Sequence, residues 1–70
     1  MNTQKQLTES KVTIKVTLDD NDAWQLAQFI KRVTFSSVRD CARNDDEAYQ
    51  MMHALDLIRN ELREAGITPR

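Results

Sequence analysis

The side chains of this chain that could bind or react fall into a few groups. Asp19, Asp20 and Asp22 form one acidic cluster, and Asp45, Asp46 and Glu47 form a second. There is one cysteine, Cys41, and one histidine, His53. A closed zinc site needs four ligands, which one thiol and one imidazole do not supply. The acid spacing does not follow a calcium-binding loop. Neither a glycine-rich phosphate loop, an HExxH helix, a CxxC pair nor a nucleophile elbow is present. No catalytic residue, metal or cofactor is therefore expected, and the chemistry left is that of binding. The acids offer a negative surface that would speed and select association with a basic partner. Each cluster also stands where a helix would begin, and acids there stabilise the helix dipole by roughly 0.3–1 kcal/mol apiece.

Those clusters have to be positioned by helices, and the apolar spacing provides them. After Asp19, the residues Ala23, Leu26, Ala27, Ile30 and Val33 recur at helical spacing and predict a helix over 20–33. Ser37 with Asp40 suggests a cap for a short helix over 37–43, with Val38, Cys41 and Ala42 facing inward. Asn44 with Glu47 caps a long helix over 45–65, whose stripe is Ala48, Met51, Met52, Leu55, Ile58, Leu62 and Ala65. Gly66 then supplies a left-handed residue, Ile67 folds back on Leu62, and Pro69 prevents continuation.

Ahead of these lies a different period. Val12, Ile14, Val16 and Leu18 alternate with Lys11, Thr13, Lys15 and Thr17. Period two with β-branched residues predicts a strand over 10–18. The expected class is therefore α+β, one principal strand followed by three helical segments. Residues 1–9 read as a flexible tail and 10–70 as a single small domain. A lone strand leaves a row of backbone groups unpaired. Pairing with the same strand of a second subunit is the simplest remedy, and pairing with the tail is the other.

Length and composition set the outer limits. The chain has 70 residues, room for one domain. A domain of that size buries only about 60% of its unfolded surface and often relies on a staple or a partner. Charged residues are 30% of the chain and the net charge is −1, unlike a domain that wraps nucleic acid by charge alone. Apolar runs stay far below the ~18 residues of a membrane span. The polar start carries no secretory leader, and an unpaired thiol suits a reducing cytosol, here that of a bacterial host.

Three surfaces are candidates for a partner. The acidic residues Asp19, Asp20, Asp22, Asp45, Asp46 and Glu47 form one. Trp24 on the first helix, with Tyr49, His53 and Leu57 at i, i+4, i+8 on the last, forms an apolar one. Lys11, Thr13 and Lys15 form a polar strand face, as in the ribbon-helix-helix plan, where a dimer inserts a two-stranded ribbon into the major groove of DNA. Three helical segments after the strand, where that plan has two, and the slightly acidic charge make direct nucleic-acid binding the lesser expectation.

The segments TLDDNDAWQLAQFIKRV, DDEAYQMMHAL and LREAGITPR resemble a family of short proteins encoded by phages, prophages and other mobile elements of proteobacteria. The likeness runs from about Lys11 onward and contains no catalytic signature. It implies a resemblance to anti-CRISPR inhibitors of type I surveillance complexes. Such a protein would block an effector subunit stoichiometrically, by DNA mimicry or by occupying a surface. The alternatives are a ribbon-helix-helix DNA-binding regulator and a subunit of a larger assembly, such as an antitoxin or a phage accessory factor.

Overall fold

A computed structural model of the chain describes residues 10–70. The expected α+β class is overturned: all regular structure among the described residues is helical, in the order α1 (Asp20–Arg32), α2 (Phe35–Asp40) and α3 (Asp45–Glu64). Residues 10–18 form neither strand nor helix and are exposed throughout. They make no backbone hydrogen bond to another described residue. The physical reason is direct. A strand exists through the groups it pairs with, and nothing else in residues 10–70 offers an edge. The alternative pairing with the tail falls on residues 1–9, outside the described residues.

The helices begin and end where local chemistry dictates. Asp19 caps α1 in an extended conformation, its carboxylate accepting from the Asp22 N–H at 2.9 Å. Val33 and Thr34, both β-branched and both extended, end α1 and begin the link to α2. The cap of α2 is Thr34, whose hydroxyl accepts from the Ser37 N–H at 3.2 Å. The expected Ser37–Asp40 box is therefore replaced by a Thr34–Ser37 cap, and α2 begins earlier and ends earlier than the predicted 37–43. Asn44 caps α3 as expected, with its Oδ1 accepting from the Glu47 N–H at 2.9 Å. The Glu47 carboxylate accepts from the Arg43 N–H at 3.0 Å, one residue before the cap.

The end of α3 is a Schellman motif. The Ile67 N–H donates to the Leu62 carbonyl and the Gly66 N–H to that of Arg63, both at 2.9 Å. Gly66 takes φ 89°, a left-handed conformation that costs a residue with a Cβ about 1–2 kcal/mol. A Cβ built there meets no atom within 4 Å, so the cost of Gly66→Ala is backbone strain alone. That variant should lower Tm by roughly 4–16 °C in a thermal melt.

Two packing interfaces assemble the fold. In the first, Ala23, Ala27 and Ile30 of α1 pack with Leu62 of α3, and Leu26, Leu55 and Ile67 flank them. The second sets α2 against the start of α3, with Val38 and Ala48 buried and the Phe35 and Tyr49 rings 4.8 Å apart. Small residues at the contacts (Ala23, Ala27, Ala48) let helix backbones approach closely but leave a thin core. Cys41, expected to face inward, is exposed, because the chain has already left the helix there: its N–H donates to Val38 in the closing turn.

Candidate binding surface

Residues 11–18 stand out as the most exposed apolar stretch. Val12 is 89% exposed, Ile14 72% and Val16 66%. The capped start of α1 fixes where the segment ends, so its last residue, Leu18, leads directly into the helix. When extended, the segment puts these apolar side chains on one side and Lys11, Thr13, Lys15 and Thr17 on the other. The backbone carries donors and acceptors along both edges with no described partner. Such an edge can take another strand through main-chain hydrogen bonds, with pockets for alternate side chains.

The second feature is an open groove of about 840 Å³ between the three helices. Phe29, Val33, Val38, Met51, Leu55 and Ile58 make its apolar lining. Phe29 is 57% exposed. Gln28 also lines the groove, and its Oε1 is buried with no hydrogen-bond partner among the described residues. Cys41 lies at the groove and His53 does not line it, so thiol and imidazole are not gathered in this cleft.

The acidic clusters differ in what surrounds them. Asp19, Asp20 and Asp22 are exposed at the start of α1, and none forms an ion pair among the described residues. In the second cluster Asp45 accepts from the Arg39 Nε at 2.7 Å, and Glu47 pairs with Arg43 at 3.3 Å. Arg39 also donates to the Ala42 carbonyl at 3.0 Å, which ties the α2–α3 link together. Two arginines thus offset two of the three acids, and Asp46 keeps an uncompensated charge. Among the described residues, no group of three or more His, Cys, Asp or Glu side chains could hold a metal ion.

The apolar candidates lie on two helices, Trp24 on α1 and Tyr49, His53 and Leu57 on α3. Trp24 adjoins Ala23, which packs with Leu62 near the end of that helix. Tyr49 lies in its opening turns against Phe35. His53 and Leu57 are exposed, as the spacing implied. Sequence reasoning missed the groove and the two arginines. The Arg43–Glu47 spacing of i, i+4 is a readable ion-pair signal. Arg39 meets Asp45 across a link between helices, and spacing carries no sign of that. The groove is hidden in the sequence because Val33, Val38, Met51, Leu55 and Ile58 read as core stripe, while Phe29 stands on its flank.

No described helix is long and apolar enough to cross a membrane. No curated protein and no solved structure matches the chain. A family model described as a family of unknown function, DUF7706, matches residues 1–70. With its whole length matched, the chain belongs to that family, DUF7706.

Proposed function

We propose that this chain is a non-enzymatic binding module of the bacterial cytosol, and that residues 11–18 are the element with which it engages other macromolecules. One observation carries this reading: the most exposed apolar side chains, Val12, Ile14 and Val16, sit on a backbone segment with no described hydrogen-bond partner. Exposed apolar surface and an unpaired edge in one place are what strand addition uses.

Two narrower forms follow. In the first, the module inhibits a host complex by occupying its binding surface. What supports it is the exposed acids Asp19, Asp20 and Asp22 and the resemblance to mobile-element proteins. A type I CRISPR effector as the target rests on that resemblance alone. Mimicry of DNA draws less from the second cluster, since Arg39 and Arg43 offset Asp45 and Glu47. In the second form the module binds DNA as a paired ribbon. What supports it is that Lys11, Thr13 and Lys15 are exposed and alternate with the apolar residues, so that an extended segment would put them on one side.

The test compares the wild-type chain with a Val12→Asp/Ile14→Asp double variant, each immobilised and exposed to bacterial lysate. A macromolecular species retained by the wild type and lost from the variant is the expected result. Equal retention by both contradicts the assignment to residues 11–18. A gel shift of duplex DNA over a salt series separates the two forms: a ribbon loses affinity with a log–log slope of about −0.9 per phosphate neutralised. An inhibitor co-elutes with a protein complex and leaves free duplex unshifted.

A further inference from the structure

We infer that a second copy of this chain pairs with residues 11–17, which have no backbone partner among the described residues, running antiparallel with Ile14 facing Ile14 across the two-fold axis. This pairing rests on the binding-module reading and names one partner for the same segment.

The sequence of the segment is complementary to itself in one register. With Ile14 on the axis, Val12 of each copy faces Val16 of the other. Lys11 then faces Thr17, and Thr13 faces Lys15. Within residues 11–17 every apolar residue meets an apolar one on one side of the ribbon and every lysine meets a threonine on the other; Leu18, next to the α1 cap, falls opposite Ser10. Neighbouring registers fail. An axis at Thr13 sets Lys11 against Lys15, and an axis at Lys15 sets that lysine against its own copy. Like charges directly opposite destabilise a strand pair. An axis at Val12 puts Ile14 opposite Ser10, and one at Val16 puts Val12 opposite Asp20. A shift of half a step sets Thr13 against Ile14 and mixes the two sides. Parallel pairing places each lysine beside its copy.

A two-stranded ribbon is marginal in water unless a helix surface packs under its apolar face. The open groove between the helices, with Phe29 exposed along it, is apolar surface of that kind. In the single chain, Val12, Ile14, Val16 and the groove all face water. Pairing gives Val12, Ile14 and Val16 apolar neighbours on the other copy.

Site-specific cross-linking of the full chain tests the register. In a Cys41→Ser background, Ile14→Cys, Val12→Cys and Val16→Cys are oxidised separately under mild conditions. Ile14→Cys should give a reducible covalent dimer rapidly. The like pairs Val12–Val12 and Val16–Val16 are each four residues apart along the ribbon, about 13 Å, beyond the ~7 Å limit between Cα atoms for a disulfide. Those two variants alone should cross-link at least about tenfold more slowly, whereas the mixed dimers in their equimolar mixture should cross-link as fast as Ile14→Cys. Equal rates for all three single variants overturn the register. Wild-type chain that sediments as a monomer at roughly 100 µM, far above a micromolar Kd, overturns the pairing itself. The binding-module reading then survives if lysate capture still separates wild type from the Val12→Asp/Ile14→Asp variant, and fails with it if capture does not.

Discussion

If residues 11–17 pair as proposed, replacing Ile14 with lysine is expected to turn the dimer into a monomer whose helices are intact. Ile14 is 72% exposed in the single chain and touches none of the helical core, so its loss should leave the far-ultraviolet circular dichroism of α1–α3 unchanged. In the paired ribbon the same residue lies on the two-fold axis and is lost twice. Burying one isoleucine is worth roughly 1.5–3 kcal/mol, so the pair forfeits about 3–6 kcal/mol. Two lysines facing each other there add repulsion. Dimerisation should weaken by a factor of at least about 10² to 10⁴. Sedimentation equilibrium reads the effect directly. An Ile14→Lys chain that remains dimeric would show that subunits meet elsewhere, if they meet at all. Thr13→Ser, on the opposite side of the segment, is the matched control and should leave the dimer in place.

The second large effect lies in the core. Leu62→Ala should unfold much of the chain at 37 °C. Leu62 is 9% exposed and is the one residue of α3 in a buried cluster whose α1 members are Ala23, Ala27 and Ile30. Two of those three are alanines, whose side chains cannot reach into the space, which leaves only Ile30 and the flanking Leu26, Leu55 and Ile67 to close it. Truncating a buried leucine costs about 2–5 kcal/mol. A domain this small sits near the lower end of the roughly 5–15 kcal/mol range of folding stabilities. With about 4–8 °C of Tm per kcal/mol at this size, the fall should be on the order of 10–30 °C. Leu57→Ala on the same helix should shift Tm by only a few degrees, because Leu57 is 54% exposed. Thermal melts of the two variants side by side make the comparison. Similar losses in both would mean that the buried cluster is not where stability resides.

The helical part of the fold was legible because helices announce themselves locally. Asp19 and Asn44 cap the two longer helices, and Gly66 ends α3 with the Schellman bonds that its position after Ala65 implied. The short α2 was placed less well, since Ser36, Ser37 and Thr34 are all competent caps and only the geometry of the α1–α2 link selects Thr34. The strand at 10–18 was misassigned for a different reason. Its alternation is a property of the sequence, whereas a strand is a property of two backbones. Residues 10–70 supply only one. The burial of the predicted stripes was overestimated on similar grounds. Ile58 and Ala65 share the α3 stripe with Leu62, yet both are exposed, because α1 covers α3 only around Leu55 and Leu62. The same shortage of covering elements opens the groove.

The candidate surfaces were legible as residue types and not as an arrangement. Both acidic clusters stand at helix starts, as their positions suggested. Spacing alone did not show that Arg39 would offset Asp45 while Asp19, Asp20 and Asp22 stay without a described ion pair. Surface pairs of that kind contribute at most about 1 kcal/mol. Their consequence here is for the electrostatic face, and the fold scarcely depends on them.

Amide hydrogen exchange across residues 11–17, measured on the wild-type chain at two concentrations, separates a paired segment from a free one. In an antiparallel ribbon alternate N–H groups are bonded to the partner. Every second amide from Lys11 to Thr17 should therefore be protected, and protection should fade on dilution below the dimer Kd. Uniformly fast exchange through the segment, unchanged between the two concentrations, would contradict the pairing.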